Sequence, residues 1–436
     1  MCPKYRNASA GGGLSGRYSL GAISRQAEYA VTLVDVGGTK EKALLVGVDR
    51  EGGLLREVVL ASEEAPTLKG LKQHYDGMAE LIRKVQSNAG PEVKILPAVC
   101  VGTPGRLVGG VIQPGSAQNL GAGKHEFDGV KPAEELERRL KVKAYVGNDA
   151  VAQMGAALNI LLGTPETAAK IKARTVAYIG PGTGLGGGFA RVDGKGNIGF
   201  MTDGHIYDLL VPGYETKNEF RFHVDGRELT ARLPEETLKA EDLLSGRAVR
   251  QIACALDRAA VKAGLEPVFL PNLPGMEKAL PEEWEHLLDH NNSKPPVGDM
   301  AKYIAVNILE SDSKNARRAR RAAEQIAGFE GLMLGRVVEA LHLGRISKFS
   351  SQAQWPAADK EAVKGVKDFI LGGSMLTRGV MGGIALERAA SYLKSRFPNK
   401  EFNLHVIGDV DLGGEAAYGA YAFAGKQQIR KIIEAV

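Results

Sequence analysis

Three glycine-rich turns in this sequence have the composition of phosphate-binding loops. They are DVGGTK at 35–40, GPGTGLGGG at 180–188 and LGGSMLTRG at 371–379, and each follows a predicted strand. Such turns expose successive backbone N–H groups, and the missing Cβ lets an anion come close. Any one of them alone could be a tight hairpin. Three in this order favour a site that binds phosphate groups.

Two aspartates lie where they could act on a phosphate ester. Asp35 opens the first turn and could hold a hydrated Mg²⁺ ion that bridges phosphate oxygens. Asp149 follows Asn148 directly before the helical run AVAQMGAALNILL. Both residues of this pair are good helix N-caps, so capping alone could also explain them.

The second turn also matches a different motif. Residues 182–187 satisfy the G-x-G-x-x-G fingerprint of dinucleotide-binding folds, which requires a helix to begin inside the motif. Here the following residues, GFARVDGKGNIG, are broken by glycine and strand-like. We therefore predict a β-hairpin at this turn and reject the dinucleotide interpretation.

Composition excludes several classes of protein. Of 436 residues, 44% are hydrophobic and 25% are charged, and no apolar run approaches the length of a membrane span. The net charge of +5 is too small to require a nucleic acid or membrane partner. The basic run at 314–325 is typical of a solvated helix face. Cys2, Cys100 and Cys254 are too few and too scattered for a disulfide framework or a zinc cluster, which indicates a cytoplasmic protein.

The pattern of elements predicts an α/β protein of two domains. Residues 1–28 are expected to form a flexible tail, 29–146 an N-terminal α/β domain and 147–436 a C-terminal α/β domain. Helices are predicted at 67–88, 244–264 and 315–343, and strands alternate with helices over 360–434. Residues 212–240 are expected to be irregular and polar, and about 266–300 to be an irregular insert.

These motifs in this order resemble the ROK group of sugar kinases and repressors, within the hexokinase, Hsp70 and actin superfamily. DVGGTK resembles the phosphate-1 loop, GTGLGGG the phosphate-2 loop and LGGSMLTRG the adenosine loop. VGTPG, NL at 119–120, VGNDAVAQMGAAL, GH at 204–205 and EDLLSGR at 241–247 resemble the motifs on the sugar side. The resemblance runs from about Thr32 to the C-terminus, and implies a two-domain actin-like ATPase (ribonuclease H-like) fold with a cleft between the domains.

The resemblance also implies roles for individual residues. Asp149 would be the general base that takes a proton from the sugar hydroxyl attacking ATP. The expected sugar contacts are Asn119, Asn148, His205 and Glu241. The expected contacts to Mg²⁺-ATP are Asp35, Gly37, Gly38, Thr39, Lys40, Gly182, Thr183, Gly184, Gly186, Gly372, Gly373 and Ser374, with Asp35 holding Mg²⁺ through water.

Two departures from the family pattern limit what is implied. Many relatives have a glutamate three residues before the histidine of the GH motif, but this chain has Thr202 there, which leaves the preferred hexose open. Many also bind zinc through that histidine and a cysteine-rich loop. No cysteine lies between Cys100 and Cys254, so no structural zinc is expected.

The sequence leaves three functions to be compared. The first is ATP-dependent phosphorylation of a hexose, most simply glucose. The second is a sugar-responsive transcriptional regulator, although the segment before Tyr29 is too short and too rich in glycine for a helix-turn-helix. The third is a sugar-binding protein without activity. Intact Asp35 and Asp149 favour the enzyme, with a sugar and a nucleotide as partners, and leave a homodimer and the use of polyphosphate or ADP open.

Overall fold

The structure is a computed structural model, and it describes residues 27–436 with gaps. The gaps are residues 39, 118–119, 122, 124, 183, 203–204, 212, 215–216, 234–237, 277–278, 289–296, 310–316, 346–360, 362, 378 and 408–416. At 202, 205, 281 and 285 the description covers the backbone alone. All but the last two residues of the predicted N-terminal tail therefore lie outside the described residues. No helix within the described ranges is both long and apolar enough to cross a membrane.

The first third of the chain contains a five-stranded sheet. The elements of this part are β1 (Tyr29–Val36), β2 (Lys40–Val48), β3 (Leu54–Pro66), α1 (Leu71–Ser87), β4 (Lys94–Thr103), β5 (Leu107–Val108), β6 (Val111–Ile112), α2 (Pro132–Leu140) and β7 (Lys143–Asn148), of which β5 and β6 form a separate pair. The strand order is β3-β2-β1-β4-β7, with β1, β4 and β7 parallel to one another and β2 antiparallel to β1 and β3. Strand β1 is almost continuously apolar because it is buried on both faces of the sheet.

The rest of the chain contains a second five-stranded sheet and a separate hairpin. The first elements of this part are α3 (Asp149–Gly163), α4 (Pro165–Ile171), β8 (Arg174–Pro181), β9 (Leu185–Val192), β10 (Ile198–Thr202), β11 (Glu219–Val224) and β12 (Arg227–Arg232). The helices α5 (Ala240–Leu243), α6 (Gly246–Lys262), α7 (Pro281–Leu287), α8 (Met300–Tyr303) and α9 (Arg317–His342) follow. The chain ends with β13 (Asp368–Leu371), α10 (Ser374–Thr377), α11 (Gly379–Arg396), β14 (Asn403–Val406) and α12 (Ala417–Ala435).

The order of this second sheet is β10-β9-β8-β13-β14. Strands β8 and β9 pair antiparallel across the second glycine turn, from Arg174 with Val192 to Pro181 with Leu185. The predicted hairpin is therefore confirmed, and the segment after the turn is a strand. The predicted helices at 67–88, 244–264 and 315–343 are also present, as α1, α6 and α9.

The expectation of irregular structure across 212–240 was wrong for its middle part. Strands β11 and β12 form an antiparallel hairpin, in which Phe220, Phe222 and Val224 are buried and the residues between them are exposed. This alternation is present in the sequence as EFRFHV, but the polar residues on the outer face obscure it.

The region predicted as an irregular insert is tied down by a buried carboxylate. Asp257 on α6 is completely buried and accepts hydrogen bonds from the backbone N–H groups of Val268 at 2.6 Å, Phe269 at 2.9 Å and Leu270 at 2.8 Å. These N–H groups begin a 3₁₀ turn at Leu270–Asn272. Short helical turns therefore replace the expected irregular chain in the described part of this region.

The C-terminal helix α12 packs against the first sheet. Ala417, Tyr418 and Ile429 share a buried cluster with residues of β1, β2 and β4. The helix also crosses α3 so closely that a Cβ on Gly419 would lie 1.5 Å from the carbonyl oxygen of Ala152. Glycine at 419 is therefore required for this crossing. The C-terminal end of the chain therefore lies on the sheet formed by its first part.

Candidate active site

Asn148 and Asp149 lie at the junction of β7 and α3. The Oδ1 atom of Asn148 accepts hydrogen bonds from the N–H groups of Ala150 at 3.0 Å and Val151 at 3.3 Å, and its Nδ2 donates to the carbonyl of Gly105 at 2.9 Å. Asn148 is thus the N-cap of α3. Asp149 is the first residue of the helix, and its Oδ1 accepts from the N–H of Ala150 at 2.8 Å. Capping of α3 therefore accounts for Asn148 and does not require the carboxylate of Asp149.

Asp35 lies near Asp149 because of the sheet register. Asp35 at the end of β1 is aligned with Gly102 of β4, which is aligned with Gly147 of β7. A Cβ on Gly102 would lie 3.0 Å from the Cβ of Ala152 and 3.6 Å from the Cα of Asp149. The missing side chain at 102 therefore lets the first turn of α3 lie directly on the ends of these strands.

This arrangement raises the pKa of both carboxyl groups. Burial raises the pKa of Asp35 to about 7, and the charge of Asp149 adds to the shift, while Lys42 and Lys40 oppose it. Burial likewise raises the pKa of Asp149, against the opposing effect of its hydrogen bond from Ala150. A raised pKa makes a carboxylate a better proton acceptor, and a cation bound beside the pair would relieve the repulsion between the two negative charges.

The first and third glycine turns are held by hydrogen bonds to or from their own backbone groups. The carbonyl of Gly37 accepts from Thr67 Oγ1 at 2.7 Å, and the carbonyl of Gly38 accepts from Lys69 Nζ at 2.7 Å. In the third turn, the N–H of Gly372 donates to the carbonyl of Ile179 at 3.0 Å, and this bond attaches the turn to the end of β8. Gly373 has a φ of 76°, which favours glycine there.

The second turn joins β8 to β9. The N–H of Gly182 donates to the carbonyl of Gly184 at 2.8 Å, and the carbonyl of Gly182 accepts from the N–H of Gly246 at 2.7 Å. A Cβ on Gly186 would lie 2.8 Å from the Cβ of Ala150. This close approach places the strand after the turn against the first residues of α3.

One cavity of about 450 Å³ brings these parts together. Its lining includes residues of all three glycine turns together with the Asn148–Asp149 pair. The described lining residues are Gly38, Pro104, Gly105, Arg106, Ser116, Asn148, Asp149, Ala150, Gln153, Gly180, Gly182, Gly184, Leu185, Gly186, Tyr207, Glu241, Gly373 and Ser374. Asp35 is not among them, and lies at the strand end next to Asp149.

Lys40 and Glu241, two of the predicted site residues, form ion pairs within the protein. The Lys40 ammonium group is exposed and forms an ion pair with Glu64 at 3.2 Å. The Glu241 carboxylate pairs with Arg247 at 3.4 Å and lies against the second turn, where a Cβ on Gly184 would be 2.6 Å from its Oε1. Burial raises the pKa of Glu241, and Arg247 opposes the shift. Glu241 therefore lies at the boundary between the second turn and the rest of the cavity.

Three of the predicted residues lie outside the described residues, namely Thr39, Asn119 and Thr183. For His205 only the backbone is described, at the start of a 3₁₀ turn at His205–Asp208.

Several lining side chains were not singled out from the sequence. Arg106, Ser116, Gln153 and Tyr207 all face the cavity. The turn that carries Arg106 is held in place, because its N–H donates to Ser116 Oγ at 2.9 Å. Arg106 follows the VGTPG motif directly, which was a usable signal. Gln153 lies within the motif VGNDAVAQMGAAL, four residues after Asp149 on the predicted helix, which was also a usable signal. Tyr207 has no local motif, and only folding brings it to this cavity.

The residues present fit a magnesium ion that is shared with phosphate. In the described part of the chain no group of three or more His, Cys, Asp or Glu side chains could hold a metal by itself. Mg²⁺ in nucleotide sites usually keeps several waters and takes only one or two carboxylates. Asp35 and its neighbour Asp149 supply that number of carboxylates.

Comparison with known proteins identifies the fold. No protein-family model matches the chain, and no curated protein sequence matches it. The solved structure of a ROK family glucokinase from Streptomyces griseus, in complex with glucose and AMPPNP, matches with a TM-score of 0.51 and 19% identity over 91% of this chain and 99% of its own. A ROK family transcriptional regulator, a homolog of the E. coli MLC protein, matches with a TM-score of 0.50 and 13% identity over 93% and 81%.

The chain therefore has the α/β fold of the actin-like ATPases, and within that class the fold of the ROK family sugar kinases. The fold expected from the order of the sequence motifs is confirmed. Because one of these two relatives is a glucokinase and the other a regulator, the function of this chain has to be argued from its site.

Proposed function

We propose that this protein is an ATP-dependent sugar kinase that phosphorylates a hydroxyl group of a hexose, with Asp149 as the general base. The observation that carries the proposal is the single cavity lined by Asp149 and by residues of all three glycine turns. In phosphoryl transfer the attacking oxygen, the phosphorus and the leaving oxygen lie roughly in line, so the base and the phosphate-binding turns must share one site.

Asp149 would accept the proton of the sugar hydroxyl as its oxygen bonds to the γ-phosphorus. The bond from that phosphorus to the bridging oxygen of ADP breaks, and ADP leaves with the electron pair. Burial raises the pKa of Asp149, which makes its carboxylate a better proton acceptor than an exposed aspartate. The backbone N–H groups of the glycine turns would bind the phosphate oxygens.

Asp35 would hold Mg²⁺ through water. When bound, this ion supplies positive charge to the phosphate oxygens. Lys40 would contact the phosphate oxygens directly only if its ion pair with Glu64 opened. With the ion pair closed, its charge would act on the phosphates only at long range. Among the proposed sugar contacts, Asn148 and Glu241 line the cavity. The proposed contacts from Asn119 and His205 rest on the motif resemblance alone.

The test is ADP release from Mg²⁺-ATP with a panel of hexoses and N-acetylhexosamines. Glucose comes first in the panel, because the structural relative from Streptomyces griseus is described in complex with it. ADP release that depends on one sugar of the panel would support the proposal. Sugar binding without ADP release would refute it, and would favour a regulator or another non-catalytic binder.

Asp149→Asn tests the role of the base. The amide has the same shape as the carboxylate but cannot take the proton, so turnover should fall by at least about a hundredfold. Calorimetric binding of the sugar should be nearly unchanged. Asp299→Asn, at an exposed position outside the cavity lining, is the matched control and should keep full activity. Retained turnover in Asp149→Asn would remove Asp149 from this role.

A further inference from the structure

Gln153 extends the proposed site along helix α3. It lies four residues after Asp149, so the two side chains project from the same face of the helix, with Cβ atoms about 6 Å apart. Gln153 is half-buried and lines the cavity together with Asp149 and the second and third glycine turns. The mechanism described above makes no use of it.

The orientation of the Gln153 amide is set by a buried tyrosine. The hydroxyl of Tyr178 donates a hydrogen bond to Oε1 of Gln153 at 3.0 Å. Tyr178 is buried on β8, and Cβ atoms on Gly180 and Gly372 would lie 2.5 Å and 2.4 Å from its hydroxyl oxygen. The tyrosine hydroxyl therefore lies directly beneath the second and third turns, and holds the carbonyl end of the Gln153 amide there.

This contact leaves the nitrogen of the amide for the cavity. A glutamine amide has two N–H donors on Nε2. Nothing in the described part of the chain accepts a hydrogen bond from Nε2 of Gln153. A neutral double donor beside glycine turns is suited to phosphate oxygens.

The distance from Asp149 indicates which phosphate the amide meets. The sugar hydroxyl must lie within hydrogen-bond reach of Asp149, and the reacting phosphorus lies about 3 Å beyond that hydroxyl oxygen. A donor one helical turn from Asp149 therefore faces the terminal phosphate of the nucleotide. The β- and α-phosphates lie further from the base.

We propose that Nε2 of Gln153 donates a hydrogen bond to a non-bridging oxygen of the γ-phosphoryl group of ATP, and that Tyr178 is a positioning residue for this amide. The inference rests on the proposed function, since it requires a nucleoside triphosphate in this cavity. It links the helix that carries the base directly to the phosphate end of the site.

The experiment is equilibrium binding, measured by calorimetry on the full chain with Mg²⁺. The ligands are AMPPNP, which carries a γ-phosphoryl group, and ADP, which does not. Gln153→Ala and Gln153→Met should each weaken AMPPNP binding by about tenfold and leave ADP binding within about twofold. Tyr178→Phe keeps the Gln153 amide but removes the hydrogen bond that orients it. AMPPNP binding should therefore weaken less, by about threefold, and ADP binding should again stay within about twofold.

Gln73→Ala, an exposed glutamine on α1, is the matched control and should bind both nucleotides as the wild type does. Gln153→Met preserves side-chain length, so a folding defect in Gln153→Ala does not prevent the test. Unchanged AMPPNP binding in Gln153→Met, or an equal loss for ADP, would overturn the inference while leaving the kinase proposal standing. A wild-type protein that binds neither nucleotide would overturn both.

Discussion

Replacing Asp35 by asparagine should stabilise the folded chain at alkaline pH while removing the proposed Mg²⁺ ligand. Burial and the charge of Asp149 raise the pKa of Asp35 from 3.8 to about 7. The folded chain therefore resists the charged form, whereas the unfolded chain ionises Asp35 at its ordinary pKa. Asparagine has nearly the same shape and carries no charge.

The size of the effect follows from proton linkage. A rise of about three pKa units corresponds to about 4 kcal/mol, at about 1.4 kcal/mol per unit. Because the folded pKa lies above the unfolded one, the folded state binds more protons between the two values. The contribution of Asp35 to wild-type stability therefore falls as pH rises from about 4 to about 7, and is level above that. About 3 kcal/mol of the loss lies between pH 5 and pH 8.

The assay is urea unfolding of wild type and Asp35→Asn at several values from pH 5 to pH 8, without Mg²⁺ or nucleotide. The advantage of the variant in free energy of unfolding should grow by about 3 kcal/mol over this range. In an Asp149→Asn background the growth should be smaller, because the charge of Asp149 contributes to the shift. A difference that does not change with pH, or that favours the wild type at pH 8, would refute the reasoning.

Two further predictions concern packing. Asp257→Ala leaves the buried N–H groups of residues 268–270 without their acceptor and should cost at least about 3 kcal/mol in urea unfolding, while Asp257→Asn, which keeps one acceptor oxygen, should cost less. Equal stability of wild type and Asp257→Ala would contradict this account. Gly186→Ala should cost about 1–3 kcal/mol and lower activity, because its Cβ would lie 2.8 Å from that of Ala150 at the start of the base-bearing helix. In the same turn, a Cβ on Gly182 would meet no atom of the described residues within 4 Å, so Gly182→Ala should unfold as the wild type does. Equal losses at both sites would refute the steric argument.

Local patterns in the sequence were sufficient for much of the fold. Glycine-dense turns after apolar runs predicted the hairpin of β8 and β9, and the absence of a helical start at 182–187 excluded a dinucleotide fold. Helical periodicity located α1, α6 and α9. The hairpin at Glu219–Arg232 was missed because the polar residues on its exposed face obscure the alternation of buried and exposed positions.

The candidate site was predictable where its residues belong to short motifs. Asp149 and parts of the three turns were identified this way, and they line one cavity. Gln153 was not singled out, although it lies four residues after Asp149 on a predicted helix. Its hydrogen bond from Tyr178 could not be predicted, because Tyr178 lies on a separate strand. The ion pair of Lys40 with Glu64 was equally hidden, because the two residues meet only through the pairing of β2 with β3.

The sequence by itself determined the local conformations, since backbone freedom at glycine, capping at Asn148 and apolar periodicity act over a few residues. Only the tertiary structure decided how these parts meet. It brought α12 back onto the first sheet and allowed α3 to lie against strand ends at Gly102. These outcomes depend on packing between residues far apart in the chain. Glycine at 102 or 419 is needed only because another segment packs closely against it in the folded protein.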